Sequence, residues 1–183
     1  MQLRNTRNGY GALARALHWW MAALMIGLIG LGLYMTSQPD SDAKWALYDL
    51  HKSLGVLVFS LLLIRIVWRR TSPPPPLPQS MNGLEAFAAH AGHLLLYAAM
   101  ILLPLTGYLD SAFGGYHIGV FGLFDIPMLF EKNKALFDLT VQAHRWIGWG
   151  LGLLVLAHAG AALKHHFIQR DDVLLRMLKD RPD

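Results

Sequence analysis

Four histidines interrupt otherwise apolar stretches of this sequence, and two of them share one stretch. His144 and His158 lie fourteen residues apart within the run QAHRWIGWGLGLLVLAHAGAALKHH at 142–166. In an α-helix this spacing is about 21 Å of rise, and it returns the second side chain to within roughly 40° of the first. An imidazole inside an apolar helix is costly, so it has either a hydrogen-bond partner or a metal to bind. Both imidazoles therefore need partners from other parts of the chain.

The composition limits the kinds of metal or cofactor site that the chain can build. The chain has no cysteine, which excludes iron–sulfur clusters, thiolate zinc sites and covalently attached CxxCH haem. Hydrophobic residues make up 54% and charged residues 15% of the 183 residues, and the mean hydropathy is +0.34. This balance is typical of integral membrane proteins. Any metal or cofactor must therefore be held by His, Met, carboxylate or backbone groups.

Four apolar stretches are long enough to cross a bilayer as helices. We expect spans at about residues 15–35, 48–69, 84–109 and 142–167. The Pro-rich sequence at 71–83 cannot continue a helix and predicts a linker, and residues 110–140 are expected to form the longest loop. The expected fold is all-α, with residues 1–183 forming a single integral membrane four-helix bundle.

The Lys and Arg residues predict how this bundle is oriented in the lipid bilayer. An even number of spans puts both termini on one side, and this side carries eleven of the 16 Lys and Arg residues. The positive-inside rule then places the N- and C-termini and the Pro-rich linker in the cytoplasm, with residues 110–140 on the periplasmic side. A net charge of +4 would suggest a nucleic-acid partner in a soluble protein. In a membrane protein the distribution of the charges between the two sides matters more, and we expect no nucleic-acid partner.

Depth in the membrane pairs the four histidines. His51 begins the second span at the level of His144, whereas His18 lies early in the first span at the level of His158. Four-helix bundles bind cofactors between facing helices, and imidazole is an axial ligand of haem iron. We therefore expect two b-type haems, one between His51 and His144 and one between His18 and His158.

Other interpretations of the histidines stay open. A single buried His is often only a helix–helix hydrogen-bond donor, and His93 on the third span competes with His18 as the partner of His158. A haem-free metal transporter would also use buried His. Such a protein normally adds Asp or Glu within its spans, and here all twelve acidic residues lie at the span ends or outside. The remaining histidines are expected to be packing or surface residues: His90, His117 and His166.

Longer motifs accompany these histidines over most of the chain. They are LHWWMAAL (17–24), LHKSLG (50–55), IRIVWR (64–69), HAGHLLLYAAMILLPLTGYL (90–109) and HRWIGWGLGLLVLAHAGAALKHHFIQRDDVLLRML (144–178). Together they resemble the bacterial cytochrome b561 family, in its small di-haem type that includes superoxide oxidases. In related membrane cytochromes b the haem ligands come from the first span, the second span and two positions of the fourth. The resemblance therefore implies His18, His51, His144 and His158 as axial ligands.

The resemblance also implies an oxidoreductase of the bacterial inner membrane. Electrons would pass from superoxide on the periplasmic side to ubiquinone near the cytoplasmic haem. His93 and His165 are candidates for contacts to ubiquinone. Lys52 and Arg145 each directly follow a haem ligand, and are candidates for binding haem propionates or attracting an anion. An alternative is an electron-transfer subunit that relays electrons between a periplasmic redox partner and the quinone pool.

Overall fold

Four long α-helices dominate the structure, a computed structural model that describes residues 2–78 and 80–179. The long helices are α1 (Ala12–Ser37), α2 (Asp42–Thr71), α3 (Gly83–Gly114) and α4 (Lys134–Lys164). The shorter elements are the hairpin strands β1 (Gly119–Val120) and β2 (Phe124–Asp125), a π-helical turn (His165–Gln169) and α5 (Leu175–Leu178). Each long helix is long and apolar enough to cross a membrane. The predicted all-α fold with four membrane-spanning helices is therefore confirmed.

Helices α2 and α4 begin several residues before the predicted spans, whereas α3 begins within one residue of its predicted start, behind a polar cap. At the start of α3, Asn82 Oδ1 accepts a hydrogen bond from Glu85 N (2.9 Å), and Glu85 Oε2 accepts one from Asn82 N (3.2 Å). This reciprocal pair is a capping box, which satisfies amide groups that the helix itself leaves unpaired. Helix α4 begins at Lys134. The connection predicted at 110–140 is thereby reduced to residues 115–133.

Most large apolar side chains of the long helices face outward. Trp20, Leu94 and Leu156 are each 70–71% exposed in the isolated chain. Contiguous apolar surface of this extent is unfavourable in water, whereas a hydrocarbon environment removes the cost and leaves every helical backbone group satisfied. The outward faces therefore agree with an integral membrane protein.

The contacts divide the chain into two units. The first unit consists of Met1–Ala22, Leu61–Tyr97 and Leu153–Asp183, and the second consists of Ala23–Ser60 and Ala98–Gly152. Each of the four long helices contributes one segment to the first unit and another to the second.

Side-chain hydrogen bonds to main-chain carbonyls attach the terminal segments of the first unit to neighbouring parts of the same unit. The Asn5 side chain donates to the Ser72 carbonyl (2.8 Å) at the beginning of the linker predicted at 71–83. Between the end of α2 at Thr71 and the start of α3 at Gly83, the described residues contain no strand and no helix. The Trp19 indole N–H donates to the Met177 carbonyl (2.9 Å) in α5. The described N-terminal segment is thus attached to the linker after α2, and the described C-terminal segment is attached to α1.

One buried serine attaches the hairpin of the second unit to α2. Ser53 is 3% exposed. Its hydroxyl oxygen accepts a hydrogen bond from Phe121 N (3.1 Å) and lies 3.0 Å from the Gly119 carbonyl, to which it can donate. The loop at 115–133 is therefore attached to the helix turn that also carries His51.

Candidate functional site

The second unit brings together His51 of α2 and His144 of α4. Their ring centroids are 6.2 Å apart, and the ring planes are inclined by 72°. Two metal–imidazole bonds of about 2.0–2.1 Å each, plus the distance from each nitrogen to its ring centre, also come to about 6 Å. The separation therefore leaves room for one metal ion between the two rings.

The surroundings of His144 fix which of its ring nitrogens carries the proton. Nδ1 lies 3.0 Å from the Leu103 carbonyl oxygen and 3.1 Å from Thr106 Oγ1. A carbonyl oxygen only accepts hydrogen bonds, so Nδ1 is the donor. Nε2 is then left with a free lone pair, which is the form of imidazole that binds a metal. A second hydrogen bond of this kind commonly orients metal-binding histidines.

On the other side of the site, His51 has a ring nitrogen without a hydrogen-bond partner among the described residues. This nitrogen is Nδ1, which is buried. A β-carbon added at Gly32 would lie 3.5 Å from His51 Cε1, and one added at Gly107 would lie 3.3 Å from His144 Cε1. Glycines of α1 and α3 therefore let these helices approach the edges of both rings closely.

The first unit brings together three imidazoles. The ring of His158 lies 6.1 Å from that of His18 and 5.6 Å from that of His93, measured between ring centroids. His158 is common to both pairs. The predicted pair of His18 and His158 is therefore brought together, and so is the alternative pair of His93 and His158.

Arg65 is a cation beside this cluster to which the sequence pattern assigns no role at the site. Its Nη2 lies 3.3 Å from His18 Nδ1, and its Nε donates to the Tyr97 hydroxyl (3.1 Å). A guanidinium has only donors, so in this arrangement Nδ1 of His18 accepts and Nε2 carries the ring proton. Binding of iron by Nε2 of His18 therefore requires Arg65 to turn away from Nδ1.

His165 lies in the π-helical turn of the first unit and has a carboxylate partner. Its Nδ1 is 2.5 Å from Asp171 Oδ2, and the two side chains are 10% and 13% exposed. His165 makes no hydrogen bond or ring contact with His93 in the described part of the chain. The two ubiquinone candidates are thus in the same unit without touching each other.

The two basic residues predicted at the periplasmic haem differ in their surroundings. Lys52 Nζ donates to the His117 carbonyl (2.7 Å) and forms an ion pair with Asp49 (2.7 Å). Arg145 is exposed. The Lys52 ammonium is therefore partly neutralised and holds the loop, while Arg145 remains accessible for a propionate or another anion.

The remaining histidines have ordinary structural partners. His117 Nε2 is 3.0 Å from Asp125 Oδ1, and His90 Nδ1 is 2.7 Å from the Ala86 carbonyl of the preceding turn. His166 packs edge-on against Phe167. These contacts agree with the packing and surface roles expected from the sequence.

Comparison with known proteins identifies the family. A sequence model described as "Prokaryotic cytochrome b561" matches residues 9–180. This chain belongs to the prokaryotic cytochrome b561 family. It is similar to cytochrome b561 homolog 2 of Escherichia coli K12, with 41% identity over 97% of this chain and 95% of the relative. It is also similar to cytochrome b561 homolog 1 of the same organism (31% identity; 88% and 93%) and to a probable superoxide oxidase of Yersinia pestis (29%; 92% and 95%).

As a cytochrome b561, the chain is a multi-pass membrane protein that transfers electrons with haem b. The residues fit that cofactor: His51 and His144 are a haem-sized distance apart, Nε2 of His144 has a free lone pair, and Nδ1 of His51 is buried without a hydrogen-bond partner among the described residues. The assignment of individual ligands stays a prediction.

Proposed function

We propose that this cytochrome b561 carries two haems b, one ligated by His51 and His144 and the other by His18 and His158. The observation that supports this most directly is the separation of the two pairs of rings, 6.2 Å and 6.1 Å between centroids. When bound, each haem would supply an iron that gains and loses one electron at a time.

The proposed reaction takes electrons from superoxide and delivers them to ubiquinone. Two superoxide ions lose one electron each and become dioxygen, and one ubiquinone gains those two electrons and two protons to become ubiquinol. The name of the Yersinia pestis relative, a probable superoxide oxidase, supports superoxide as the donor. The distribution of Lys and Arg supports a bacterial inner-membrane location with both termini in the cytoplasm.

The protein's own contribution at the His51–His144 site is to hold the ligands and to cover them. The Leu103 carbonyl keeps the proton of His144 on Nδ1, so Nε2 stays available. Ser53 attaches the loop at 115–133 to the helix turn that carries His51. The contact to Leu103 orients the His144 imidazole before a cofactor binds, which reduces the entropy lost on binding.

The competition between His18 and His93 has a direct test. If His18 is the ligand opposite His158, His18→Ala removes one haem and His93→Ala leaves both in place. Haem content by pyridine haemochrome, measured per mole of purified protein, separates the two cases. Loss of a haem in His93→Ala with retention of both in His18→Ala would reassign the ligand.

A second candidate function is an electron-transfer subunit that receives electrons from a periplasmic redox protein. Two basic residues on the predicted periplasmic side are already paired with carboxylates, Lys52 with Asp49 and Lys134 with Asp138. This pairing weakens the positive potential available to superoxide. The loop at 115–133 also exposes several aromatic side chains, which suit a protein partner: Tyr116, Phe121, Phe124 and Phe130.

Stopped-flow spectroscopy distinguishes the two functions. The oxidised holoprotein is mixed with superoxide in the absence of any protein partner, and reduction is followed at the b-type α-band. Superoxide oxidation predicts reduction that outpaces spontaneous dismutation and is abolished by added superoxide dismutase. Reduction no faster than dismutation allows would favour the carrier function. The absence of any b-type α-band in the reduced protein would exclude both.

A further inference from the structure

The regular geometry of α4 ends at Lys164 and changes into a π-helical turn at His165–Gln169. Arg170 closes this turn in the left-handed region (φ 55°), a conformation that costs a residue with a β-carbon about 1 kcal/mol or more. The Asp171 N–H then donates back to the His165 carbonyl (3.1 Å). Turns of this kind, closed by a left-handed residue, are a common way for a helix to end. Here the turn brings the side chain of Asp171 back onto His165.

The contact between these two side chains is short and largely shielded from solvent. His165 Nδ1 and Asp171 Oδ2 are 2.5 Å apart, and His165 as a whole is 8% exposed. The other carboxylate oxygen, Oδ1, accepts a hydrogen bond from Val173 N (3.0 Å). Because an ionised carboxylate only accepts, the proton of the neutral imidazole must be on Nδ1. Nε2 of His165 is then left with a free lone pair.

Asp171 forms no ion pair with a Lys or Arg in the part of the chain that the structure describes. The neighbouring cations have other acidic partners: Lys164 pairs with Glu85 (2.9 Å) and Arg176 with Asp172 (3.0 Å). The hydrogen bonds of Asp171 go to a backbone amide and to one imidazole. A carboxylate that holds a histidine by Nδ1 while Nε2 stays free is the arrangement that orients histidine for proton transfer.

We propose that Asp171 is a positioning residue that keeps the proton of His165 on Nδ1, so that Nε2 relays protons to ubiquinone. This inference rests on the proposed function, in which His165 contacts ubiquinone. In each relay step Nε2 takes one proton from water, the ring is briefly protonated on both nitrogens, and Nε2 passes its proton to a quinone oxygen. Two such transfers accompany the two electrons that superoxide provides, and His165 returns to its Nδ1–H form.

The kinetic test uses the holoprotein in detergent, with haem content measured first. The haems are reduced with dithionite, excess reductant is removed, and reoxidation by ubiquinone-1 is followed in a stopped-flow instrument in H₂O and D₂O. We expect Asp171→Asn to keep both haems and the wild-type rate of reduction by superoxide. Its reoxidation should be about 100-fold slower, as expected for loss of general acid catalysis, with a larger solvent isotope effect. Asp171→Glu should recover part of the rate.

Three further variants separate a relay from a general structural effect. His165→Gln should be slowed like Asp171→Asn, and the double variant should be no slower than His165→Gln, because both changes disable one unit. Asp172→Asn removes the adjacent carboxylate, which pairs with Arg176 instead, and should reoxidise like the wild type. Reoxidation of Asp171→Asn at the wild-type rate, or multiplicative effects in the double variant, would overturn the proposal.

A measurement on the unaltered chain covers the case in which Asp171→Asn does not fold. In ¹⁵N-histidine-labelled, dithionite-reduced holoprotein, the nitrogen shifts of His165, assigned with His165→Gln, should report a proton on Nδ1 and an unprotonated Nε2. The opposite tautomer would refute the positioning role. If the wild type is not reoxidised by ubiquinone at all, the proposed acceptor is wrong and the relay fails with it. This outcome is distinct from one in which ubiquinone reoxidises the wild type and Asp171→Asn equally fast, which would refute the role of Asp171 alone.

Discussion

Gly107→Ala tests how firmly the ring of His144 is held in the second unit. A β-carbon at this position would lie 3.3 Å from Cε1 and 3.4 Å from Nδ1 of His144, so the ring would have to move by a few tenths of an ångström. The ring cannot move freely, because Nδ1 already donates to the Leu103 carbonyl at 3.0 Å. Its displacement therefore weakens this hydrogen bond, and the net loss of one hydrogen bond costs about 0.5–1.5 kcal/mol.

This cost predicts the rate at which haem is lost. A change of about 1.4 kcal/mol is tenfold in an equilibrium constant, so Gly107→Ala should weaken retention of one haem about 2- to 10-fold. Haem transfer from the purified protein to excess apomyoglobin measures this rate in the visible spectrum. The haem of the other proposed pair should be lost from Gly107→Ala at the same rate as from the wild type, and it serves as the internal control.

Two other glycine substitutions provide matched controls. A β-carbon at Gly32 would meet His51 Cε1 at 3.5 Å, an ordinary contact, and one at Gly150 would meet nothing within 4 Å. Both variants also carry the general gain of about 0.5–1 kcal/mol that alanine has over glycine in a helix. Haem loss from Gly107→Ala at the same rate as from Gly150→Ala would refute the argument that the His144 ring is held in place.

Three further substitutions test the contacts that hold the termini and the hairpin. Ser53→Ala should expose the loop at 115–133 to proteolysis and faster amide hydrogen exchange, while a wild-type exchange rate there would contradict its role as the attachment point. Trp19→Phe removes the indole N–H that bonds to Met177 and should release the C-terminal segment at a cost of about 1 kcal/mol, measured by hydrogen exchange of residues 171–179. Asn5→Ala removes the bond to the Ser72 carbonyl and should lower the free energy of unfolding by about 1 kcal/mol or more; an unchanged thermal unfolding curve would show that the N-terminal segment contributes no stability.

The sequence predicts the long elements of this fold well, because they depend on apolar length. A bilayer core requires about 20 apolar residues in a helix, and four stretches satisfy that requirement. The helix ends are predicted less well, since α2 begins at Asp42 and α4 at Lys134, both well before the apolar stretches. Polar capping residues continue a helix outside the apolar core, and hydropathy alone does not detect them.

The sequence predicts which residue types form the candidate site, but it predicts only some of the contacts between them. Depth in the membrane pairs His51 with His144 from the sequence, and the two rings do lie together. The partner of His144 Nδ1 is a backbone carbonyl, that of Leu103, and no side-chain pattern indicates which carbonyl a ring will reach. Thr106 and Gly107 belong to the motif LPLTG, which could have drawn attention to α3 as the wall beside His144.

Arg65 and Asp171 escape prediction for related reasons. Arg65 belongs to a basic cluster at the end of a span, which the positive-inside rule already explains, yet its guanidinium reaches back to His18. Asp171 follows the last span in a polar tail. Only the π-helical turn brings it onto His165, and a single extra residue in a turn has no signature in hydropathy.

The haem-to-protein ratio of two histidine variants tests the central claim most directly. Two haems per chain are expected in the wild type, and one each in His144→Ala and His158→Ala, with the two variants retaining spectrally different haems. The measurement is pyridine haemochrome content against protein concentration, with reduced-minus-oxidised spectra of the retained α-bands. Retention of both haems in either variant, or a wild type with a single haem, would contradict the claim.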